Sequence, residues 1–360
     1  MKYLQLVLLI FALLACSVND DPSDNMEPSN IPYQIVNDFS YNELLSQIGQ
    51  ERLARGIEKP RSDGALGRNK NAYFHVRFQI NMTSIADFVI VSERLDALQS
   101  LAATISYSLD RQLSDGSFEF NPPADLVNAP DYRPATMGDL ASGTSFFCSS
   151  LGLSLIALQN SDWFLNSQET QAIKVEIESY RSSFEKTLDY LISQKDLLKQ
   201  YDAHAPNRLL FDALAYYSLG KYLSRIDAQN IAFEFIEAAL ELTDAQEGYF
   251  IENGGWDSSY NGVAIKLGFE LLSLIDNEAQ KMSLKKVLAH ASNWQISRIN
   301  ENGEVSTEGN TRVFPGGEAF LGEEKGIDYP KIVKALYYFG YLTSSQDIVR
   351  LGDTVLDFYN

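Results

Sequence analysis

Apolar residues recur at intervals of three and four along most of the chain, the spacing that places them on one face of an α-helix. The pattern is clearest in 207–223, 228–243 and 258–275, where Leu267 and Leu271 follow one another on a single face. The same spacing predicts further helices at 41–57, 84–112, 139–159, 167–199, 278–298, 328–342 and 345–358.

The alternation of apolar and polar residues that is typical of a half-buried strand is scarce. Segment 72–80 shows it, because Phe74, Val76 and Phe78 alternate with His75 and other polar or aromatic neighbours. This segment predicts either one strand or an extended arm. The expected fold class is therefore all-α with little β.

Three loops that follow predicted helices share a sequence pattern. They read SDGSF at 114–118, QEGYF at 246–250 and ENGEV at 301–305. Glycine readily adopts the positive φ that a helix C-cap requires, so repeated capping is one interpretation. The other is a repeat of αα hairpins, which bury their apolar faces by stacking on their neighbours in a closed ring.

The element that ends in Asp115 and Gly116 resembles the helix–DGSF–loop repeats of α/α-toroid proteins. That superfamily includes terpenoid cyclases, prenyltransferases and many polysaccharide lyases and hydrolases. The DxDD and DDxxD clusters of terpenoid cyclases do not occur in the sequence of the folded part. The resemblance thus implies a single α/α-toroid domain over 39–360, a complete or incomplete ring of αα hairpins, in the glycan-active branch.

The first fifteen residues, MKYLQLVLLIFALLA, combine one lysine with an apolar run too short to span a membrane. Segment 1–15 is therefore expected to be a secretory signal peptide. Its end resembles the lipobox of bacterial lipoproteins, which implies lipidation of Cys16; a plain cleaved signal is the alternative. Residues 16–38 are polar and acidic and predict a disordered tether. We expect an outer-membrane lipoprotein, on the cell surface or the periplasmic face, that contacts the membrane through its lipid.

The composition excludes several classes of protein. The chain has 48 Asp and Glu against 29 Lys and Arg, a formal net charge of −19, and such an acidic chain repels nucleic acid. Only Cys148 accompanies Cys16, so no disulfide framework is expected. HExxH, CxxC, EF-hand and P-loop patterns are missing from the sequence, so we expect neither a metal nor a cofactor.

The segment EGYFIENGGWDSSYNG at 247–262 is the first candidate for a site. It is similar to the DGSFxQH…YNG segment of chondroitin and hyaluronate lyases, whose catalytic half is an α/α toroid. The resemblance implies β-elimination with Tyr260 in proton transfer, and Asn253 stands where those lyases have a histidine. Elimination next to a uronic carboxylate also requires donors that neutralise the carboxylate.

The segment DAHAPNR at 202–208 supplies such groups. Pro206 is placed as at the start of a helix, so His204, Asn207 and Arg208 would lie at a helix N-terminus, which attracts anions. His204 is then a second candidate for proton transfer, while Asn207, Arg208 and Asn253 would hold the carboxylate. The alternative for His204 is a capping or surface histidine.

Glu252 and Asp257 flank two glycines and offer the pair of carboxylates that an inverting glycoside hydrolase needs. Asp257 also precedes a predicted helix and is a natural N-cap. Trp256, between Gly255 and Asp257, is either a platform that stacks on a sugar ring or an aromatic anchor of the loop.

Arg133, Arg312 and Glu318 lie in long loops that lead into predicted helices, a frequent setting for binding residues. Together with Arg208, the arginines would suit an anionic glycan; surface ion pairs are the alternative. The sequence thus predicts an exported lipoprotein that acts on a polysaccharide or oligosaccharide, by β-elimination on an acidic glycan. An inverting glycoside hydrolase and a non-catalytic glycan-binding or scaffold lipoprotein stay as alternatives.

Overall fold

A computed structural model describes residues 32–71, 73–128, 132–320 and 323–360. The predicted signal peptide, Cys16 and the first part of the predicted tether lie outside these residues. Tyr33–Asn360 form one compact unit. The described helices are α1 Tyr41–Ile48, α2 Gln50–Arg55, α3 Met82–Ser92, α4 Leu95–Leu109, α5 Ala124–Val127, α6 Met137–Gln159, α7 Asp162–Asn166, α8 Gln171–Ser179, α9 Arg181–Ser193, α10 Lys195–Tyr201, α11 Pro206–Leu223, α12 Ile226–Glu241, α13 Ser258–Leu274, α14 Glu278–Ser297, α15 Tyr329–Leu342 and α16 Gln346–Tyr359.

Strand structure is confined to two short antiparallel pairs in the described ranges. β1 (Phe74–His75) pairs with β2 (Phe120–Asn121), and β3 (Ala319–Phe320) pairs with β4 (Glu323–Glu324). The predicted strand at 72–80 is thus reduced to two residues, followed by a 3-10 turn over Val76–Gln79. The mainly helical fold with little β is confirmed.

Three of the predicted helices are interrupted. Segment 84–112 divides at Glu93, which has a φ of 50°, and 41–57 divides at Gly49, which has a φ of 84°. Segment 167–199 forms α8, α9 and α10. Hydrophobic periodicity over a long segment does not reveal a single residue that leaves the helical region.

The last residues of the predicted tether belong to the folded body. The backbone N–H groups of Val36 and Asn37 donate to the carbonyl oxygen of Leu342 at 2.9 and 3.0 Å. Asp38 forms an ion pair with Lys281 at 3.0 Å. The disorder expected for 16–38 is therefore wrong for 33–38, because these contacts with α14 and α15 are long-range and leave no mark on local composition.

The longer helices pack in two sets. α3 packs on α6, α6 on α11, α11 on α13 and α13 on α15, and α1 contacts both α15 and α3. Five of these six helices have a second helix packed against them: α4 packs on α3, α9 on α6, α12 on α11, α14 on α13 and α16 on α15. Many of the largest fully buried side chains come from the first set, among them Phe147, Tyr216, Phe269 and Tyr338, while Phe184 of α9 and Phe235 of α12 come from the second.

Helix α6 is the one described helix that is long and apolar enough to cross a membrane, with a mean hydropathy of 1.4 over its best window. However, 94% of that window is buried inside the protein. Its contacts with α3, α9 and α11 explain its composition. Cys148 lies within it as a buried free thiol.

The three similar loops share a positive-φ glycine inside a bridged turn. Gly116, Gly248 and Gly303 have φ angles of 90°, 84° and 91°, and an antiparallel bridge closes each turn. The predicted positive φ is confirmed. The C-cap interpretation is wrong, because α4, α12 and α14 end before these turns.

Each turn glycine lies against the backbone or Cβ of a following helix. A Cβ on Gly116 would lie 2.1 Å from the carbonyl oxygen of Lys186 in α9, and one on Gly303 would lie 2.5 Å from that of Thr354 in α16. Gly248 contacts α14 in the same way. Gly64, with a φ of 93°, approaches α4 in the same way. Its turn is a fourth example, which the shared pattern of the three loops did not reveal. The turns therefore join successive helix pairs.

This contact predicts the effect of adding one methyl group. Gly116→Ala is expected to lower the free energy of unfolding by about 3 kcal/mol, because it adds backbone strain and a clash. Gly254→Ala is the control, since its φ is 82° and no atom lies within 4 Å of the added Cβ; it should cost about 1 kcal/mol. Urea unfolding measures both, and equal losses would contradict a packing role for Gly116.

Candidate functional site

A cavity of about 670 Å³ lies where the N-terminus of α11 meets two loops, 252–253 and 311–318. Six of the residues singled out in the sequence line this one cavity. These are His204, Arg208, Glu252, Asn253, Arg312 and Glu318. Tyr201, Thr311 and Phe314 complete much of the wall.

The start of α11 places two of these side chains. Pro206 is at the first turn of the helix, as predicted, because proline there loses no helical hydrogen bond. His204 lies in the preceding turn and is exposed. Arg208 donates to Asp202 at 3.0 Å, so the guanidinium is held at the cavity wall by a carboxylate that is fully buried.

A tight hairpin turn carries Glu252 and Asn253. Glu252 and Gly255 exchange backbone hydrogen bonds of 2.8 and 3.2 Å, and Asn253 and Gly254 both have positive φ, 53° and 82°. Asn-Gly is the preferred pair for a two-residue turn of this kind. The turn therefore favours asparagine at this position. It leaves the Asn253 side chain exposed beside the cavity.

Asp257 is the N-cap of α13, as predicted. Its carboxylate accepts from the backbone N–H groups of Ser259 and Tyr260, both at 3.1 Å, and from those of Arg312 at 3.0 Å and Val313 at 2.7 Å. The side chain is fully buried and is not part of the cavity wall. The expected pairing of Asp257 with Glu252 as hydrolase carboxylates is therefore wrong, because four N–H groups occupy its oxygens.

Arg312 joins the loops around the cavity. Its guanidinium forms an ion pair with Glu252 and a two-pronged pair with Glu318, at 2.8 Å from Nε and 2.9 Å from Nη2. The guanidinium carbon also lies 4.3 Å from the centre of the Tyr260 ring. Bidentate pairing of this kind fixes the orientation of both partners.

Glu318 receives two more donors. Lys325 donates to it at 2.7 Å and to the Tyr260 hydroxyl oxygen at 2.7 Å, while the Tyr260 hydroxyl donates to Glu318 at 3.1 Å. Burial alone would raise the pKa of Glu318, but the hydrogen bonds from Arg312 and Lys325 lower it to about 2. Burial raises the pKa of Tyr260, so its phenol stays neutral and positions Glu318.

Glu252 has the opposite shift. Burial raises the pKa of this carboxyl, and the pairing with Arg312 only partly offsets the effect. Two carboxyl groups on one cavity wall thus have environments that move their pKa values apart, which separates a potential proton donor, Glu252, from a group that stays ionised, Glu318.

A pair of buried carboxyl groups lies behind Arg208. Asp212 is fully buried and accepts from the Ser145 hydroxyl at 2.5 Å. Burial raises the pKa of Asp212, and the charge of the neighbouring Asp202 raises it further. The Oδ2 atom of each has no hydrogen-bond partner in the described part of the chain, and one proton held between the two carboxyl groups would satisfy both and leave the charge on Asp202, opposite Arg208.

Three further residues singled out in the sequence, like Asp257 and Tyr260, lie away from the cavity wall. Trp256 packs edge-on against Tyr249, with ring centres 5.8 Å apart, and does not line this cavity, which favours the loop anchor over the sugar platform. Asn207 is buried in the core, which removes it from carboxylate binding. The Arg133 side chain is 73% exposed and lies 3.6 Å from Asp139, near the rim.

Sequence reasoning missed three residues of this region. Tyr201 lines the cavity at the end of α10 and its hydroxyl donates to Asp139. Lys325 follows β4 and reaches Glu318 and Tyr260. Asp212 lies in α11 as well, and its carboxyl group interacts electrostatically with the Arg208 guanidinium. No local pattern singles out any of them, since each acts through a contact across the fold.

Among the residues that the structure describes, no cluster of three or more His, Cys, Asp or Glu is arranged to hold a metal ion. A scan of protein-family models returns no match to this chain, and a search of curated proteins returns no similar sequence. Residue roles therefore follow from the geometry of this chain alone.

The low pKa of Glu318 predicts how stability depends on pH. Its unfolded pKa is about 4.3, so its stabilising effect is present above that pH and is lost as the pH falls towards 2. Glu318→Gln should reduce the loss of stability over this range by about 1 kcal/mol, allowing for solvent screening. Urea unfolding from pH 6 downwards, with steps of about one unit, measures this. Glu323→Gln is the control, because that side chain is 80% exposed. An equal loss of stability with falling pH in Glu318→Gln and wild type would contradict the assignment.

The shared proton predicts an asymmetry between the two buried aspartates. Asp212→Asn replaces a protonated carboxyl by an amide that still donates to Asp202, so its unfolding free energy should change by less than about 1 kcal/mol. Asp202→Asn removes the counter-ion of Arg208 and should cost about 2 kcal/mol. Denaturant unfolding at neutral pH measures both variants; a larger loss in Asp212→Asn would place the charge on Asp212 instead.

Proposed function

We propose that the protein is an exported α/α-toroid lipoprotein that binds an acidic polysaccharide or oligosaccharide in the cavity between Arg208 and Arg312 and cleaves it by β-elimination. The observation that carries the proposal is the convergence of an exposed histidine, two arginines, an amide and two carboxyl groups on one wall. Lipidation at Cys16 and a place in the outer membrane are part of the proposal and rest on the N-terminal sequence.

The helix packing supports a toroid. A ring in the order α3, α6, α11, α13, α15 and α1 follows from the pairwise contacts, and a second helix lies against five of its members. The glycine turns at Gly64, Gly116, Gly248 and Gly303 each contact a helix of the second set. A repeated turn that joins successive helix pairs is what stacked αα hairpins require.

The charge distribution supports an anionic ligand. The whole chain carries a formal net charge of −19, yet Arg208, Arg312 and Lys325 gather at this cavity. Arg77 is buried close enough to Arg208 that burial and the second guanidinium both lower its pKa. Asp202, Glu252 and Glu318 pair with these cations, so an anionic ligand would bind through the remaining N–H donors of the Arg208 and Arg312 guanidinium groups.

The cavity supplies each group that β-elimination needs. His204 would take the proton next to the uronic carboxylate, since its imidazole is exposed and lines the cavity. Arg208 and Asn253 would hold that carboxylate and stabilise the charge that develops on it. As the carbon–oxygen bond at the β position breaks and the double bond forms, Glu252 would protonate the departing oxygen.

Tyr260 has a different role from the one its sequence context implies. Its hydroxyl is engaged by Lys325 and Glu318, and the residue is not part of the cavity wall. We assign it to positioning: it keeps Glu318, and through Glu318 the Arg312 guanidinium, in a fixed place. Glu252 takes over the proton-donating role.

An inverting glycoside hydrolase is the second candidate, with Glu252 as acid and Glu318 as base. The opposite pKa shifts of these two carboxyl groups favour it. Against it, Glu318 is tied to Arg312 and Lys325 by three hydrogen bonds. A carboxylate with a pKa of about 2 is a weak base for activating water, so β-elimination is preferred.

The test is the appearance of unsaturated uronate, followed by ultraviolet absorbance, when the protein is incubated with polygalacturonate, alginate, hyaluronate and chondroitin. His204→Asn should lower the rate on the active polymer by about 100-fold or more with little change in binding. His290→Asn is the matched control, because His290 is an exposed histidine on α14 outside the cavity and should keep the wild-type rate.

The outcomes separate the candidates. New reducing ends without unsaturated product, lost in Glu318→Gln and retained in His204→Asn, would replace the lyase by the hydrolase. Binding of a polymer with neither product would identify a non-catalytic glycan-binding protein. Equal rates in His204→Asn and wild type would refute the role given to the imidazole.

A further inference from the structure

A second cavity, of about 390 Å³, lies between α2, α3, α13, α15 and α16. It is distinct from the first: α11 contributes Arg208 to the first cavity and Phe211, one turn further on, to the second. Much of its wall is apolar. The apolar side chains include Leu53, Ile57, Ile80, Phe211, Val333 and Leu356.

The charged groups at its mouth are already paired. Arg52 forms a two-pronged ion pair with Asp353, with both distances 2.7 Å. Lys331 pairs with Asp328. These pairs leave the mouth close to neutral, so the recognition of a ligand falls to the inner end of the cavity.

Lys334 and Lys266 lie at that inner end and differ in how their N–H groups are used. An ammonium group has three donors. Lys334 places them on Asp87 at 2.5 Å, on Glu270 at 3.2 Å and on the Tyr41 hydroxyl oxygen at 3.2 Å. Its donors are therefore saturated.

Lys266 is only 7% exposed and has one acceptor within the described residues, the Oε2 atom of Glu270 at 2.7 Å. Two of its donors are left over. Unpaired donors on a buried charged group are costly, and burial lowers the pKa of this lysine. An anion bound beside the ammonium would satisfy both donors and oppose that shift.

The carboxylate oxygens of Asp87 and Glu270 at the inner end, in contrast, all have a donor group nearby. The two oxygens of Asp87 accept from Tyr41 and Lys334. Those of Glu270 contact Lys334, Tyr338 and Lys266. The inner end thus presents unused donors on Lys266, and each oxygen of Asp87 and Glu270 lies within 3.2 Å of a lysine nitrogen or a tyrosine hydroxyl.

We propose that this cavity binds a small monocarboxylic acid. The carboxylate accepts from Lys266, and an apolar body lies along Leu53, Ile57 and Phe211. The volume lies in the usual range for small-molecule sites, about 300 to 1,000 Å³. Apolar walls suit an alkyl or aryl body and leave the hydroxyl groups of a sugar without partners. The inference does not depend on the proposed glycan activity.

Calorimetric titration of the intact mature protein with octanoate tests the proposal, with 1-octanol as the uncharged probe of equal chain length. Octanoate should bind at least about tenfold more tightly than the alcohol, because a hydrogen-bonded ion pair with a buried ammonium is worth more than about 1.4 kcal/mol. Equal binding of the two probes would overturn the proposal, and so would no binding of octanoate.

Two substitutions locate the site. Lys266→Met should weaken octanoate binding by about tenfold or more, and Lys331→Met, a lysine at the mouth of the same cavity, should leave it within about twofold. If Lys266→Met does not fold, as judged by circular dichroism, Leu53→Trp decides the question by filling the entrance. Octanoate binding that survives Leu53→Trp unchanged, or that falls equally in both lysine variants, would refute this placement.

Discussion

The ion pairs of Arg312 hold the candidate site together. One guanidinium binds Glu252 from the hairpin turn and Glu318 from its own loop, and lies over the ring of Tyr260 at the start of α13. Removing one partner of a largely buried ion pair costs about 3 to 5 kcal/mol, since the other charge is left without compensation. The cavity wall thus has a fixed shape before any ligand arrives, which is what a binding site on loops otherwise lacks.

The helices deliver those loops to one place through the repeated glycine turns. A glycine at the tip of each turn allows the chain to approach a neighbouring helix more closely than any other residue would permit. The first residues of the loops that follow are therefore held in a fixed position. Asp257 adds a second restraint, because it caps α13 and at the same time binds the backbone at Arg312 and Val313.

Much of this arrangement could be predicted from the sequence, and the reason is local. Helical periodicity depends on neighbouring residues, and so do the proline at the start of α11, the cap at Asp257 and the repeated DG, EG and NG turns. His204 and Arg208 belong to the same local pattern, because Pro206 marks a helix N-terminus, where N–H groups attract anions. The structure then brings them beside Glu252, Asn253 and Arg312.

The rest depends on contacts between distant parts of the chain. Lys325, Tyr201 and Asp212 have ordinary sequence surroundings, and only folding brings them to the site. The sequence also does not decide the role of Trp256, because a loop anchor packed against Tyr249 and a sugar platform have the same local composition. Asn207 shows the reverse: it shares a helix start with Arg208, yet the helical rotation turns it into the core.

The central claim is that the cavity between Arg208 and Arg312 receives an acidic glycan. Backbone hydrogen exchange, measured with and without an oligouronate that the protein binds, tests it most directly. The account predicts added protection in 202–208 and 311–318 with the oligouronate, and none with a neutral oligosaccharide of equal length. Protection elsewhere with both segments unchanged, or equal protection by the neutral sugar, would contradict it.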